Sequence, residues 1–373
     1  MRAHGIWSGL ASVAFVAISC TAIAQDLPRV NRSQLLAFPS GVGPHPSGEK
    51  YDFGCGLAID DRRMLVSAAP ADLTAALLFF YAKNSAGAWQ YAGRVRPPSG
   101  GSFECEVALR GRTAVISGRL NGAGAVFVLQ NPSGSTWKTT QVIKRRSNSL
   151  YIGPDFLALG DSTSNNERGI VRVYDRIAPG TYRLMTNLSG PDLESHFGGS
   201  LTGGSNSLVV TQSTQLGDNQ KVFVYVRSQD TMRLQKTYDL GFRALGSVAY
   251  DSNYLAIETV NFLAAIHRRQ NGVWTTIQTV PGIEDPTGFE GWLVGPIALG
   301  GNRFVFRDRD TNEFHVSELR NGIFRETAVL NVKYGEWPII SSSTIVVSYP
   351  HSGPENTTFR GAVEIFSLPR LTN

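Results

Sequence analysis

Hydrophobic positions along the chain occur in short runs rather than in helical stripes. Each run holds five to seven residues rich in Val, Ile, Leu and aromatics, and turns of Gly, Asn, Asp, Ser or Pro separate the runs. Runs of this length and composition predict β-strands joined by hairpins. Turns such as residues 203–206 and 321–322 contain residue types that accept a positive φ and therefore permit tight reversals. The pattern predicts antiparallel strands throughout.

The runs recur in groups of four. One group starts at Phe53 and a second at Phe103, and each reads as four strands over roughly 47 residues. Further copies follow along the chain; the third is weak at its start and the seventh stops one strand short. A single four-stranded sheet cannot bury both of its faces, so neighbouring copies have to stack around an axis. The repeat predicts a seven-bladed β-propeller.

The missing outer strand of the seventh copy has a candidate near the N-terminus. Residues 34–41 resemble residues 94–100, where the outer strand of the first copy ends. We therefore expect Leu35 and Leu36 to lie beside Val363 and Ile365 in one sheet. The fold class is an all-β, seven-bladed β-propeller whose last blade is closed by an N-terminal strand.

The N-terminus has the features of an export signal. A positively charged start precedes a small, apolar stretch over residues 10–18, and a small-x-small site ends at Ala24. Residues 1–24 are expected to be a signal peptide, which leaves 25–373 as a single propeller domain that is secreted or periplasmic. Alternatively, Cys20 is the lipidated first residue of a lipoprotein. The mature chain contains no stretch that is apolar and long enough to form a transmembrane helix.

The composition supports a folded chain. Hydrophobic residues make up 42% of the 373 residues and charged residues only 17%, which excludes a disordered or acidic-tail protein. The 39 glycines and 18 prolines fit many short elements joined by turns. The net charge of +5 is scattered, so we expect no nucleic-acid partner. The one dense basic run, residues 144–146, is expected to be a solvated connection between the second and third blades; the alternative is a site for an anionic glycan or lipid.

The chain resembles the FG-GAP repeat, the unit of integrin alpha-chain propellers and of many secreted bacterial proteins. The motifs that carry the resemblance are Phe53-Gly54, residues 66–70, residues 124–128, Trp137 and Phe197-Gly198. The resemblance covers almost all of the mature chain and implies the propeller fold. In that family these positions serve packing and turns, so the resemblance implies no particular chemistry.

Several FG-GAP repeats bind calcium through an acidic loop between their first two strands. The corresponding hairpins here contain at most two neighbouring Asp residues, as in Asp60-Asp61-Arg62-Arg63. Calcium requires six to eight oxygen ligands, which these hairpins cannot supply. We therefore expect no calcium at these hairpins, and neither another metal nor a cofactor.

Two cysteines remain after removal of the signal peptide. Cys55 and Cys105 each follow the Phe of their repeat by two residues, on the innermost strands of adjacent blades. In an oxidising compartment the pair can form a disulfide. The alternative is two buried free thiols that pack as small hydrophobic residues. The sequence does not decide between them.

The sequence shows no enzyme motif that dictates a reaction. Its six histidines lack metal-ligand spacing, and neither a nucleophile elbow nor a phosphate loop occurs. Residues 131–137 match only the end of the sialidase Asp box, because Pro132 occupies the Asp position. Even a complete box would have a structural role. Glycoside hydrolysis requires paired carboxylates, and the sequence singles out no such pair.

Loop length distinguishes the two faces of the predicted propeller. The loops between the second and third strands are long and polar: residues 161–168, 212–219, 307–312 and 350–360. Their counterparts on the opposite face mostly have two to five residues, and binding residues are concentrated on loops. The candidate ligand-binding residues are Asn165, Glu167, Arg168, Gln215, Asp218, Asp308, Arg309, His351 and Glu355. The alternative is that these loops are tolerated insertions.

These observations favour an exported, monomeric, non-enzymatic binding or adhesion module. Its expected partner is an extracellular or envelope protein or a glycan. The alternative is a hydrolase or lyase that acts on an extracellular polysaccharide. Two carboxylates with an Arg or Tyr at the mouth of the axial channel would favour the enzyme, whereas exposed aromatics and mixed polar loops would favour binding.

Overall fold

The computed structural model contains strands, turns and loops, and no helix among the residues it describes. The described residues are 27–39, 50–70, 75–134, 136–191, 193, 195–212, 220–241, 247–259, 262–281, 296–308, 311, 313–332, 335–350 and 359–368.

The described residues contain thirty strands, which form seven sheets. In chain order they are β1 Arg29–Asn31, β2 Gln34–Leu36, β3 Tyr51–Ile59, β4 Arg63–Ala69, β5 Leu77–Lys83, β6 Trp89–Val95, β7 Gly101–Arg110, β8 Thr113–Leu120, β9 Ala123–Gln130, β10 Lys138–Ile143, β11 Ser149–Ile152, β12 Phe156–Asp161, β13 Ile170–Ala178, β14 Thr181–Ser189, β15 Leu201–Gly203, β16 Ser207–Gln212, β17 Gln220–Ser228, β18 Thr231–Gly241, β19 Val248–Asp251, β20 Tyr254–Thr259, β21 Phe262–Gln270, β22 Val273–Pro281, β23 Ala298–Gly300, β24 Arg303–Arg307, β25 Phe314–Arg320, β26 Ile323–Asn331, β27 Trp337–Ser341, β28 Thr344–Tyr349, β29 Phe359–Arg360 and β30 Ala362–Ser367.

Each sheet is one blade of a seven-bladed β-propeller, as predicted. Blade 1 is built on β3–β6, blades 2 to 6 follow in sets of four, and blade 7 contains β27, β28, β30 and β2. The first strand of each set lies next to the axis and the fourth lies at the rim. Connections from blade to blade and the loops between second and third strands emerge on one face, here called the upper face. The hairpins between first and second and between third and fourth strands form the lower face.

The hydrophobic core is divided among the interfaces between blades. Leu157 and Leu159 of blade 3 pack with Val126 and Val128 of blade 2, and comparable clusters occupy the other interfaces. Alternate residues of a second strand therefore face different neighbouring blades. This arrangement explains why one blade cannot fold alone.

The N-terminal strand closes the ring, in agreement with the sequence prediction. Strand β2 pairs antiparallel with β30, and Leu35 and Leu36 lie opposite Glu364 and Val363. The strand is shorter than residues 34–41, because it ends at Leu36.

Two short parallel pairings add to this closure and were not predicted. Strand β1 lies on β26 at the rim of blade 6, and β29 lies on β3 beside the axis. The N-terminal segment therefore crosses the rims of two blades, and the connection between β28 and β30 reaches from blade 7 to blade 1.

Arginine–carboxylate pairs reinforce both chain ends. The Arg360 guanidinium donates to both oxygens of Asp52, with Nη2 3.2 Å from Oδ2. Arg32 Nη1 donates to Glu364 Oε1 over 2.8 Å. Asp52 and Glu364 are fully buried, so each buried carboxylate has the charged partner that burial requires.

A recurring glutamine links the rims of adjacent blades. The side chain of Gln141 in β10 accepts from Tyr182 N and donates to Tyr182 O, both over 2.7 Å. Gln34 makes the same pair of bonds with Trp89, and Gln278 makes it with Phe324. Each glutamine satisfies the backbone of the first or second residue of the next outer strand, which holds that blade in register.

Candidate functional site

The candidate loop of blade 3 is an ordered turn at the upper face. It begins at Asp161, whose carboxylate accepts from the hydroxyls of Thr163 and Ser164 and lies 3.6 Å from Arg172 Nη1. Three successive residues, Asn165 to Glu167, have φ between 54° and 63°. Asn tolerates this left-handed conformation better than other side chains, which explains the Asn pair in the loop.

The same loop rests on the connection from blade 3 to blade 4. Arg168 O accepts from Ser195 Oγ over 2.7 Å, and Glu167 O accepts from His196 N over 2.8 Å. Asn165 is exposed, whereas Glu167 and Arg168 are half-buried against this connection. Of the three predicted residues, Asn165 is therefore the one whose side chain is most available to a partner.

Asp308, the candidate in blade 6, lies beside a histidine. Its Oδ2 is 3.7 Å from His315 Nε2, and its Oδ1 faces Thr311 N at 3.4 Å. On the other side of the ring, His315 Nδ1 bonds Glu326 Oε1. Burial alone would lower the pKa of His315, but the hydrogen bond to Glu326 and the charges of Glu326, Asp308 and Glu313 outweigh it and raise the pKa.

We expect His315→Gln to destabilise the protein more at pH 6 than at pH 9. A histidine whose pKa is raised on folding stabilises the native state below its unfolded pKa of about 6.5, and this contribution disappears as the pH rises through the native pKa. Urea unfolding midpoints of parent and variant at both pH values measure the gap. A gap that is constant, or wider at pH 9, would contradict the assignment.

The remaining candidates lie outside the described residues. They are Gln215, Asp218, Arg309, His351 and Glu355. They remain predictions of the sequence.

The described candidates do not form one compact site. Asn165 belongs to blade 3 and Asp308 to blade 6, three blades away around the ring. A ligand that contacts both residues has to extend across the upper face.

An exposed tryptophan marks the centre of that face. Trp337 begins β27, the innermost strand of blade 7, directly after the connection from blade 6. This position places it at the upper mouth of the axial channel, and its side chain is 59% exposed. Sequence reasoning read this residue only as the start of an inner strand. Its available signal was a large aromatic residue at the head of a strand next to the axis.

Buried polar atoms without partners also collect towards the upper ends of blades 4, 5 and 6. Within the described part of the chain, the hydrogen-bonding capacity is unmet at both amide atoms of Gln212, at Oε1 of Gln220, at Oε1 of Glu258 and at Nε of Arg307. All four residues lie at or next to the strand ends that carry the upper loops. Buried polar groups normally have partners, and exceptions are concentrated at functional sites.

A cavity bordered by described residues opens on the lower face. It has a volume of about 1170 Å³ and is bordered by hairpin residues 61–62, 251–252, 301–302 and 342–343, which come from four consecutive blades. The outer hairpin of blade 1, with Lys83, completes its wall. The sequence did not predict this site, because its residues look like ordinary turn residues.

Two charged groups of the lower cavity interact with its walls. Asp61 Oδ1 accepts from Ser342 Oγ over 2.5 Å and from Ser341 Oγ over 3.1 Å, and the bond from Ser342 is the main cause of its lowered pKa. Lys83 Nζ donates to Thr344 Oγ1 over 3.0 Å. Burial lowers the pKa of Lys83, although the charge of Asp61 opposes this shift.

The described residues contain no group of three His, Cys, Asp or Glu side chains arranged to hold a metal ion. No helix long and apolar enough to cross a bilayer is found in the described ranges.

Comparison with known proteins identifies the fold but not a family. No protein-family model and no curated protein matches the chain. Among solved structures, a chain of the mitotic checkpoint complex aligns over 99% of this chain and 98% of its own length, with a TM-score of 0.57 and 11% identity. The Pan2 WD40 domain of Neurospora crassa aligns over 92% and 96%, with a TM-score of 0.55 and 10% identity. At these identities the likeness extends to the β-propeller architecture alone.

Proposed function

We propose that this chain is an exported, non-enzymatic binding module of the FG-GAP type. It recognises an extracellular or envelope protein or a glycan through the upper face. The β-propeller is a scaffold that commonly serves binding, but fold alone does not specify function. The residues of the upper face favour binding in this protein.

The observation that carries the proposal is Trp337. Trp337 is 59% exposed, so a large apolar ring is in contact with water in the unbound protein, which is unfavourable. Tryptophan is enriched among the residues that contribute most to binding free energy. Trp337 lies at the head of the innermost strand of blade 7, beside the axis. An indole face can stack on a sugar ring or fill a hydrophobic pocket of a protein partner.

The surrounding groups favour binding over hydrolysis. Asp52, a carboxylate towards the upper end of the innermost strand of blade 1, is buried and paired with Arg360. Asp161 is similarly engaged by hydroxyls of its own loop. Groups held in this way position the backbone of the face, whereas a glycosidase requires an accessible acid and base at a fixed separation.

Export rests on the N-terminal segment, and the FG-GAP assignment rests on its sequence motifs. Phe53, Phe103 and Phe197, which head three of the repeats, are fully buried. Such burial agrees with the packing role that the family assigns to them. Mass spectrometry of the mature N-terminus distinguishes cleavage after Ala24 from lipidation at Cys20.

We expect Trp337→Ala to abolish capture of the partner while leaving the fold intact. The parent and the variant are screened on a glycan array and in pull-downs from the envelope fraction. We expect the affinity to fall by about thirtyfold or more, as for a hot-spot residue (roughly 2 kcal/mol or more). Tyr91→Ala is the matched control, because Tyr91 is an exposed aromatic residue on the outer strand β6. Equal capture by parent and Trp337→Ala would overturn the proposal.

A further inference from the structure

The lower-face cavity has walls that are fixed before any ligand arrives. Arg303 is 1% exposed, and its Nη1 donates to Ser342 O over 3.0 Å while its Nε and Nη2 each lie 3.2 Å from Glu318 Oε1. The buried Arg303–Glu318 pair therefore holds the hairpin of blade 7 in place through Ser342 O. Asp61 then ties the same hairpin to blade 1 through the Ser342 hydroxyl.

The adjoining hairpin of blade 6 fits closely against this support. Gly301 has a φ of 58°, and a Cβ at this position would meet Ser342 O at 2.8 Å. Asn302 follows with a φ of 62°, so the hairpin is a tight turn with both residues left-handed. Binding sites are most effective when rigid elements hold their first contacts in place.

The residues that line the cavity are polar or charged, or are glycines. They are Asp, Arg, Lys, Asn, Ser and Gly, and they include neither an aromatic nor an aliphatic side chain among the described residues. The two carboxylates, Asp61 and Asp251, are balanced by Arg62 and Lys83. At about 1170 Å³ the cavity exceeds the roughly 300–1,000 Å³ of most small-molecule pockets.

These properties exclude several ligand classes on physical grounds. An apolar ligand would leave charged and hydroxyl groups without partners, which costs free energy. Because two carboxylates are balanced by two cations, the cavity has no net charge that would attract a polyanion or a polycation.

We infer that the lower-face cavity binds an uncharged oligosaccharide. Each sugar hydroxyl both donates and accepts hydrogen bonds, so one ligand can satisfy carboxylates, guanidinium, ammonium and amide groups together. The volume calls for several sugar units rather than one. This inference is independent of the proposed function, because the cavity and Trp337 lie at opposite ends of the axis.

The test uses the full mature chain and a panel of neutral oligosaccharides of four to eight units, built on glucose, mannose, galactose and N-acetylglucosamine. Uronic-acid and sulfated oligosaccharides form the anionic set. We expect a neutral member to bind, and Arg62→Ala with Asp251→Ala to weaken that binding at least tenfold in calorimetry. Asp155→Ala is the matched control, since Asp155 is exposed on the corresponding hairpin of blade 3, outside the cavity.

Two further measurements assign the binding to this cavity. Tyr91→Ala, on the outer strand of blade 1, should leave the neutral oligosaccharide affinity unchanged, whereas Asn302→Trp, which fills the cavity from its wall, should abolish it. Thermal unfolding of each variant confirms that it is folded. Binding by none of the neutral oligosaccharides, binding of the anionic set alone, or binding that survives both cavity variants would overturn the inference.

Discussion

Replacing Glu258 by glutamine is expected to stabilise the protein at neutral pH. Glu258 lies near the end of β20, is 1% exposed, and its Oε1 has no hydrogen-bond partner within the described residues. Burial raises the pKa of Glu258 to about 9, because a backbone hydrogen bond from Ser247, which lowers the pKa, offsets only part of this effect. The native protein therefore keeps this carboxyl protonated at pH 7, whereas the unfolded chain ionises it.

The sign of the pH dependence follows from this difference. Between the unfolded pKa near 4.5 and the native pKa near 9, the native state binds the extra proton, so the free energy of unfolding falls as the pH rises. At about 1.4 kcal/mol per pH unit, the cost at pH 7 is roughly 3 kcal/mol. Glutamine carries no charge in either state and removes this cost.

Urea unfolding between pH 5 and pH 8.5 measures the effect. Glu258→Gln should exceed the parent by roughly 2–3 kcal/mol at pH 7 and by little at pH 5. Glu104→Gln is the control, because Glu104 is a partly exposed carboxylate paired with Arg119, and such pairs contribute about 1 kcal/mol or less. A Glu258→Gln variant no more stable than the parent at pH 8 would show that this carboxylate is ionised in the native state.

A buried acid of this kind lowers the stability of the native state at neutral pH. Glu258 lies beneath the upper loops together with the unmet polar atoms of Gln212, Gln220 and Arg307. Natural proteins commonly give up stability at sites that have to recognise a partner. If Glu258→Gln stabilises the chain and also weakens capture of the partner, the upper face extends from Trp337 towards blade 5.

The architecture was predictable because the repeat is a property of strand patterning. A four-strand unit that recurs seven times requires closure, and the one missing strand pointed to Leu35 and Leu36. The pairings of β1 and β29 were not predictable in the same way. They involve three and two residues, too few to produce a periodic signal.

The functional surfaces were less accessible to sequence reasoning. The lower cavity joins hairpins from residue 61 to residue 343, and each hairpin contains the Asp, Asn, Ser and Gly that turns require anyway. Trp337 reads as a hydrophobic strand residue until the ring places it at the axial mouth. A site formed by turns that are far apart in the sequence can be identified only from the three-dimensional arrangement of the blades.

For the two cysteines too, the sequence pattern predicts their positions in the repeat but not the distance between them. The sequence placed Cys55 and Cys105 at matching points of adjacent inner strands but left their bonding open. The structure joins them in a disulfide, with Cα atoms 5.6 Å apart. A Cβ on Gly56 would meet Cys105 O at 1.7 Å, so this glycine is what allows the two inner strands to approach so closely.

Loss of this bond is expected to lower the free energy of unfolding by about 4 kcal/mol, because the bridge closes a loop with a sequence separation of 50 residues in the unfolded chain. The hydrogen bond from Ser67 Oγ to Cys105 O, at 2.9 Å, still links blades 1 and 2, so the native fold should persist under mild conditions. The double variant Cys55→Ala with Cys105→Ala and the reduced parent should therefore show the same lowered urea midpoint.

Alkylation supplies an independent readout of the bond in the mature chain. In denaturant without reductant, iodoacetamide should modify neither cysteine of the parent, whereas prior reduction should allow it to modify both. Cys55→Ala alone should expose one reactive thiol, at Cys105. Modification of both cysteines before reduction, together with an unchanged midpoint for the double variant, would mean that the inner strands are held by packing and by Ser67 alone.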